Sequence, residues 1–224
     1  MLPKLYCINL DKRPDRWKTI QDQFSKIPQL TLIRFPAIED KQGWLGCGRS
    51  HMKIIRDHMD DKDNSYLMVI EDDCQIKNIE TFNHRLQKII QWLSKHPDQW
   101  EIFNGNPSFE LGPNHFKILD SDLKIVGCNG GTTNFLIYNK NIKPKLLQYE
   151  TVVHDALTNK NGITPKRLHI IDKFLANNFV CITSIPFITC QRPSYSNIDN
   201  KFINNSKRLK KIETALEENL AKKV

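Results

Sequence analysis

No stretch of this chain strings together the ~18 apolar residues that a membrane-spanning helix needs, and no charged-then-apolar leader stands before its first strand-like segment. The expectation is a soluble, cytoplasmic protein that reaches any membrane through a partner or through further domains of a longer chain. There is no C-x-x-C pair. The six cysteines, at 7, 47, 74, 128, 181 and 190, are widely spaced and several sit inside apolar runs, which argues for reduced thiols and against a disulfide framework. Cys47 and His51 have the i, i+4 spacing of a helix, but no two further ligands accompany them, which argues against a zinc site. Glycine is scarce, with nine in 224 residues. Neither G-x-G-x-x-G after the first strand nor G-x-x-x-x-G-K-[ST] occurs, which removes the dinucleotide and P-loop fingerprints. Internal repeats and low-complexity tracts are absent too.

What is present is a basic chain of one-domain size. Lysine and arginine outnumber aspartate and glutamate by 33 to 25, a net charge of +8, and 39% of the residues are hydrophobic. The excess of positive charge suits an anionic partner such as a phosphate or nucleotide. Apart from Lys207-Arg208-Leu209-Lys210-Lys211 the basic residues are scattered, so no nucleic-acid stripe is expected.

The chain is organised around Tyr66-Leu-Met-Val-Ile-Glu71-Asp72-Asp73-Cys74. A short apolar run rich in β-formers reads as a buried strand, and burial on both faces is typical of the middle of a parallel sheet. Ligands in such sheets collect at the carboxyl ends of the strands, where Glu71, Asp72 and Asp73 stand together. Three adjacent carboxylates repel one another, and a divalent cation carrying a phosphorylated ligand offsets that repulsion.

Around this stretch the first half alternates strand and helix. Lys4–Leu10 reads as a strand, Pro14 opens a helix carrying Trp17, Ile20, Phe24 and Ile27, and Leu30–Phe35 reads as a second strand. A helix is expected over Cys47–Met59 and another through Phe82, Leu86, Ile89, Ile90 and Leu93. This order predicts an α/β fold with a mostly parallel central sheet and helices on both faces. The second half is less regular. Strands are expected near 101–104, 134–138 and 179–184, an exposed excursion over 105–122, helices over 143–150 and 168–177, and a polar loop over 189–202. Residues 1–205 are expected to form one domain. Residues 206–224 are expected to form a C-terminal helix with the apolar stripe Leu209, Ile212, Leu216 and Leu220, docked on the domain or leading into a missing one.

Two further clusters carry chemistry. Ile8-Asn-Leu-Asp-Lys-Arg-Pro-Asp-Arg16 places Asn9, Asp11, Arg13 and Arg16 at a strand end and helix start, where phosphates and nucleobase edges are bound. Gly46-Cys-Gly-Arg-Ser50-His51 opens a helix with small residues that permit close backbone approach, and Ser50 and His51 are candidate ligand contacts.

In this order, I-N-L-D-K-R-P-D-R, G-C-G-R-S-H and M-V-I-E-D-D resemble glycosyltransferase family 25, which includes bacterial lipooligosaccharide and collagen galactosyltransferases. The resemblance is dense from residue 5 to 75 and looser afterwards, with echoes at 130–138, at 169–175 and at 186–198, including Gln191 and Ser196. It implies a GT-A (Rossmann-like) nucleotide-sugar-binding fold with a small second sheet, Mn²⁺ (or Mg²⁺) as cofactor, and a UDP-sugar as donor. It implies transfer of a hexose, with inversion, to a hydroxyl acceptor on a glycan or protein. Glu71-Asp-Asp73 then matches the family's Asp-x-Asp motif. Asp73 would bind the metal directly, Glu71 through water or at the ribose, with Gln191 as candidate third ligand. Asp72 would orient the donor, and Asn9, Leu10, Arg13 and Arg16 would lie beside base and ribose. Asp172 is the candidate base that deprotonates the acceptor, with Asp155 as the alternative. Two other readings compete: a metal-dependent nuclease or nucleotidyltransferase, which needs a further carboxylate pair, and a nucleotide-sugar-binding module without turnover.

Overall fold

A computed structural model of the chain describes residues 4–60, 66–109, 117–158, 167–196 and 201–222. Along the chain run β1 (Lys4–Asn9), α1 (Pro14–Phe24), β2 (Thr31–Pro36), α2 (Gly43–His58), β3 (Tyr66–Glu71), β4 (Cys74–Ile76), α3 (Ile79–Lys95) and β5 (Ile102–Asn104). The second half holds β6 (Ile118–Asp120), β7 (Ile125–Cys128), β8 (Phe135–Asn139), α4 (Lys143–Thr158), α5 (Ile171–Asn178), β9 (Cys181–Ser184), β10 (Thr189–Gln191), β11 (Ser194–Ser196), β12 (Lys201–Ile203) and α6 (Ser206–Ala221).

Eight strands form the main sheet in the order β2-β1-β3-β8-β5-β9-β7-β6. β1 pairs in parallel with β2 and with β3, and β5 with β9; β8 and β7 run against their neighbours. Six strands therefore share one direction and two are reversed. The strand period of two sorts the side chains onto two faces. Leu5, Cys7, Met68 and Ile70 pack against Ile20 and Phe24 of α1 and Phe82, Leu86, Ile89 and Leu93 of α3. Tyr6, Ile8, Leu67 and Val69 pack against α2, α4 and α5 through Met52, Ile55, Leu146, Tyr149 and Phe174.

Local chemistry accounts for the element starts. Pro14 is the first residue of α1 and Asp15 lies in its first turn, where a missing N–H and a negative charge are both favourable. Asn78 caps α3, its side chain accepting from Thr81 N at 3.0 Å.

α2 begins at Gly43, four residues before the expected start at Cys47. Glycine reads as a loop signal, but here it is a packing requirement. A Cβ at Gly46 would lie 2.5 Å from the Ile38 carbonyl, and one at Gly48 would lie 2.3 Å from the Tyr149 hydroxyl. The predicted polar loop after 189 contains three short strands. β10 pairs antiparallel with β4 as a two-stranded sheet, and β11 pairs with β12. Strands of three residues lie below what a period-two pattern reveals. Part of the predicted excursion, residues 110–116, and the residues 159–166 lie outside the described residues; α4 itself continues to Thr158, beyond the expected end at 150. The apolar stripe of α6 is buried, with Ile212, Leu216 and Leu220 against Val126, Ile185 and Phe187. Among the described residues no helix is long and apolar enough to cross a membrane. All six cysteines are free thiols.

Candidate functional site

The parallel register of β1 and β3 decides where the acidic turn sits. Ile8 pairs with Glu71, so both strands run out at one edge and Asn9 and Asp72 emerge side by side. Asn9 is only 1% exposed. Its amide donates to Asp72 Oδ2 at 2.8 Å and to the Arg13 carbonyl at 3.0 Å, while its Oδ1 accepts from Arg34 Nε at 2.8 Å. Arg16, in the first turn of α1, reaches the other oxygen. Its Nη1 donates to Asp72 Oδ1 at 2.7 Å, and its Nη2 donates to Ser194 Oγ at 2.9 Å and to the Tyr195 carbonyl at 2.6 Å. Asp72 is therefore the carboxylate whose charge is already offset.

Asp73 has a different environment. Its carboxylate accepts from Asn134 Nδ2 at 2.6 Å and from Gln191 Nε2 at 2.9 Å. Both are neutral amides, and among the described residues no cationic side chain forms an ion pair with it. Burial, then the negative charge of Glu71, pushes its pKa up to about 7, with the Gln191 bond opposing. Gln191 is brought here by the pairing of β10 with β4, which sets it opposite Cys74. Its carbonyl oxygen accepts from Asn205 Nδ2 at 2.7 Å. In this placement Gln191 presents an N–H to Asp73 and steadies that carboxylate, and its oxygen is turned away from the turn.

Glu71 faces inward, toward α2. Its Oε1 accepts from Thr133 Oγ1 at 2.7 Å and lies 3.5 Å from Cys47 Sγ and 3.8 Å from His51 Nε2. Burial pushes this carboxyl up, but the imidazole, hydroxyl and thiol outweigh it and hold the pKa below the usual carboxylate value. His51 is fully buried, its Nδ1 3.0 Å from the Tyr138 hydroxyl.

The remaining predicted residues are spread around this centre. Arg13 lines the cleft and forks onto Asp15 at 3.0 and 2.9 Å. Asp11 is exposed and pairs with Arg34 at 2.7 Å, and the Leu10 carbonyl accepts from Arg13 N at 2.9 Å. Ser50 points away from the carboxylates: its hydroxyl donates to the Gly46 carbonyl at 2.7 Å and accepts from Ile38 N at 2.8 Å. Asp172 lies in the first turn of α5 with Oδ1 buried and without a hydrogen-bond partner among the described residues. Burial pushes its pKa up to about 6; Lys173 opposes this and the charge of Glu71 adds to it. Asp155 stands on the exposed side of α4.

A cleft of ≈ 280 Å³ opens over Asp72 and Asp73, walled by Arg13, Arg16, Thr19, Arg192 and Tyr195. Of its surroundings, Asn134, Arg34, Arg192 and Tyr195 are absent from the sequence-based list. Asn134 had a usable signal, a polar amide fused to the start of an apolar strand after Gly-Gly-Thr-Thr. Arg192 and Tyr195 fall inside the 186–198 echo without standing out in it, because the pairing that delivers them joins β10 to β4, more than a hundred residues apart in the chain.

The residues present fit a hard divalent cation. Asp73 is a buried carboxylate without a cation of its own among the described residues, and Asn134, whose N–H it accepts, keeps a buried Oδ1 with no hydrogen-bond partner among them. Oxygen donors of this kind suit Mn²⁺ or Mg²⁺.

No family model matches the sequence, and no curated protein matches it. Solved structures do. A glycosyltransferase involved in the glycosylation of the major capsid of PBCV-1 superposes with a TM-score of 0.50 at 9% identity, over 94% of this chain and 98% of that one. The apo-form glycosyltransferase GlyE of Streptococcus pneumoniae TIGR4 superposes with a TM-score of 0.40 at 11% identity, over 80% of this chain and 37% of that one. The likeness to the first extends across nearly the whole of both chains. The fold is the GT-A arrangement, a large mixed sheet flanked by helices with small accessory sheets.

Proposed function

We propose that this chain is a metal-dependent glycosyltransferase that moves a hexose from a UDP-sugar to a hydroxyl on a glycan or protein acceptor, with inversion, like the family 25 enzymes its motifs resemble. The observation that carries the reading is Asp73, a buried carboxylate at the carboxyl edge of the sheet, steadied by two amides and paired with no cation. Asp73 and Glu71 would hold Mn²⁺ (or Mg²⁺), with Asn134 steadying Asp73 through its N–H. When bound, the cation supplies Lewis-acid stabilisation of the charge that develops on the leaving diphosphate.

The chain's own residues do the rest. Arg13 and Arg16 with Asn9, Leu10 and Asp11 form the wall beside base and ribose. Asp72 is held rigid by Asn9 and Arg16 and orients the donor. Gln191 fixes the rotamer of Asp73, and His51 fixes Glu71. Asp172 takes the proton of the attacking hydroxyl, which requires its ionised form.

The test is thermal unfolding of the full chain with UDP and UDP-hexoses, with and without Mn²⁺, followed by assay of sugar release. Nucleotide and metal together are expected to raise the melting temperature where neither does alone, since a ligand that binds only the folded state stabilises it by mass action. Equal stabilisation by UDP without metal, or none with it, overturns the reading. Cleavage of nucleic acid in Mn²⁺ without sugar release would replace it with phosphoryl chemistry.

A further inference from the structure

Behind the Asp73 turn lies a second cluster of a different character. Cys47 and His51 stand one turn apart on α2, and both face Glu71 at the end of β3. Their donor atoms lie 3.5 and 3.8 Å from the same oxygen, Glu71 Oε1, and all three lie within 4.8 Å of one another. A tetrahedral zinc ion with bonds of about 2.0–2.3 Å holds its ligands roughly 3.3–3.6 Å apart, so the three close on such an ion with small side-chain shifts.

The imidazole gives the second, independent sign. His51 is fully buried, and its Nε2 has no hydrogen-bond partner among the described residues. Its Nδ1 lies 3.0 Å from the buried Tyr138 hydroxyl. When Nδ1–H donates to that phenol oxygen, Nε2, which faces Glu71 Oε1 at 3.8 Å in the metal-free chain, is free to give its lone pair to a cation between Glu71 and Cys47. Thr133 fixes the carboxylate by donating to the same Oε1 at 2.7 Å. Two of the three candidate ligands are thus oriented by an outer partner, as ligands of metal sites are.

We propose that Cys47, His51 and Glu71 form a site for a borderline-soft divalent cation of the zinc type, distinct in chemistry from the oxygen-only setting of Asp73. A thiol, an imidazole and a carboxylate select zinc over manganese or magnesium. Three protein ligands leave a fourth position for water or an exogenous donor. Binding releases the Cys47 thiol proton to solvent, because the thiolate is the ligand. The proposal shares Glu71 with the proposed function but does not depend on it.

The probe is Co²⁺, whose tetrahedral thiolate complexes show a near-ultraviolet charge-transfer band and strong visible bands. The metal-free 224-residue chain titrated with Co²⁺ is expected to take up one equivalent with these bands, and one equivalent of Zn²⁺ is expected to bleach them. Cys47→Ser is expected to lose the charge-transfer band. His51→Gln is expected to weaken cobalt binding at least tenfold, with circular dichroism confirming that each variant is folded. Asp73→Asn is expected to retain the full spectrum. Absence of the band, its survival in folded Cys47→Ser, or its loss in Asp73→Asn overturns the proposal. An intact cobalt spectrum with no Mn²⁺-dependent UDP binding removes only the glycosyltransferase reading, and the converse result removes only this one.

Discussion

Arg16 and Asp72 meet at 2.7 Å with side chains only 13% and 10% exposed, and the contact joins the first helix to the turn that ends the central strand. The other guanidinium nitrogen holds β11 through Ser194 and the Tyr195 carbonyl. One residue therefore ties together three segments spread over more than 170 positions of the chain, and it offsets one of the three adjacent carboxylates. Asp73 forms no ion pair among the described residues, and Glu71 turns instead to Thr133, Cys47 and His51, so the three adjacent carboxylates have three separate settings.

Removing the cation should therefore cost stability as well as ligand affinity. Arg16→Ala leaves Asp72 nearly buried and unpaired, which costs on the order of 3–5 kcal/mol. A clearly lower melting temperature and weaker UDP binding are expected. Arg16→Lys keeps the charge but has one ammonium where the fork reaches three separate partners, so an intermediate loss is expected. Thermal unfolding of the two variants decides it; an unchanged melting temperature in Arg16→Ala would show that the pair contributes nothing.

Asp73 makes the metal-free protein sensitive to alkali. Its folded-state pKa is raised to about 7 from 3.8, chiefly by burial. The folded chain then holds a proton that the unfolded chain gives up, so this contribution to stability is complete below pH 3.8 and is lost as pH rises through 7. The slope for one proton is about 1.4 kcal/mol per pH unit across that interval. Metal-free protein is expected to lose melting temperature between pH 5 and 7.5, and Asp73→Asn to flatten the loss. Mn²⁺ should stabilise more at pH 7.5 than at pH 5.5, because the ionised carboxylate is the form that binds it. Parallel pH profiles for wild type and Asp73→Asn would exclude this role.

The sequence made the first half of the fold legible because its elements are long and periodic. Tyr66–Glu71 is buried at every position but the last, and the α3 stripe from Phe82 to Leu93 recurs as a helix requires. The site was legible where it is local: Asn9 to Arg16 and Glu71 to Asp73 lie at adjacent strand ends. It was not legible where a long-range pairing delivers the partner. Asn134 reaches Asp73 only because β8 lies beside β3, in register from Ile70 with Phe135. The orientation of Gln191 depends on Asn205, outside every motif. The glycines of α2 misled about its start because composition cannot distinguish a glycine that breaks a helix from one that lets a ring approach.

That packing role gives a stability test remote from the carboxylates. A Cβ at Gly48 would lie 2.3 Å from the Tyr149 hydroxyl and 2.7 Å from its ring. Tyr149 is buried and donates to the His169 carbonyl at 2.6 Å, so it cannot yield without breaking that bond. Gly48→Ala gains about 1 kcal/mol of helix propensity and loses about 1–3 kcal/mol to overpacking. A lower melting temperature is expected. Combining it with Tyr149→Phe, which removes the nearest atom, should cost less than the sum of the two single changes, as for residues in contact. Strict additivity in a double-mutant cycle would mean that the two do not meet.

Asp172 offers the sharpest separation of binding from chemistry. It lies in the first turn of α5, its Oδ1 has no hydrogen-bond partner among the described residues, and burial raises its pKa to about 6. A base must be ionised to accept a proton, so transfer is expected to rise with pH through about 6 and level off above it. Asp172→Asn preserves shape and removes only proton acceptance. Nucleotide affinity is expected to stay within about twofold, while turnover falls by roughly 10²–10⁴, the usual share of general-base catalysis. The pH-dependent limb should vanish from whatever activity remains. A variant that keeps both its rate and its limb would transfer the base role to another carboxylate, whereas one that loses UDP binding would show that Asp172 shapes the donor pocket instead.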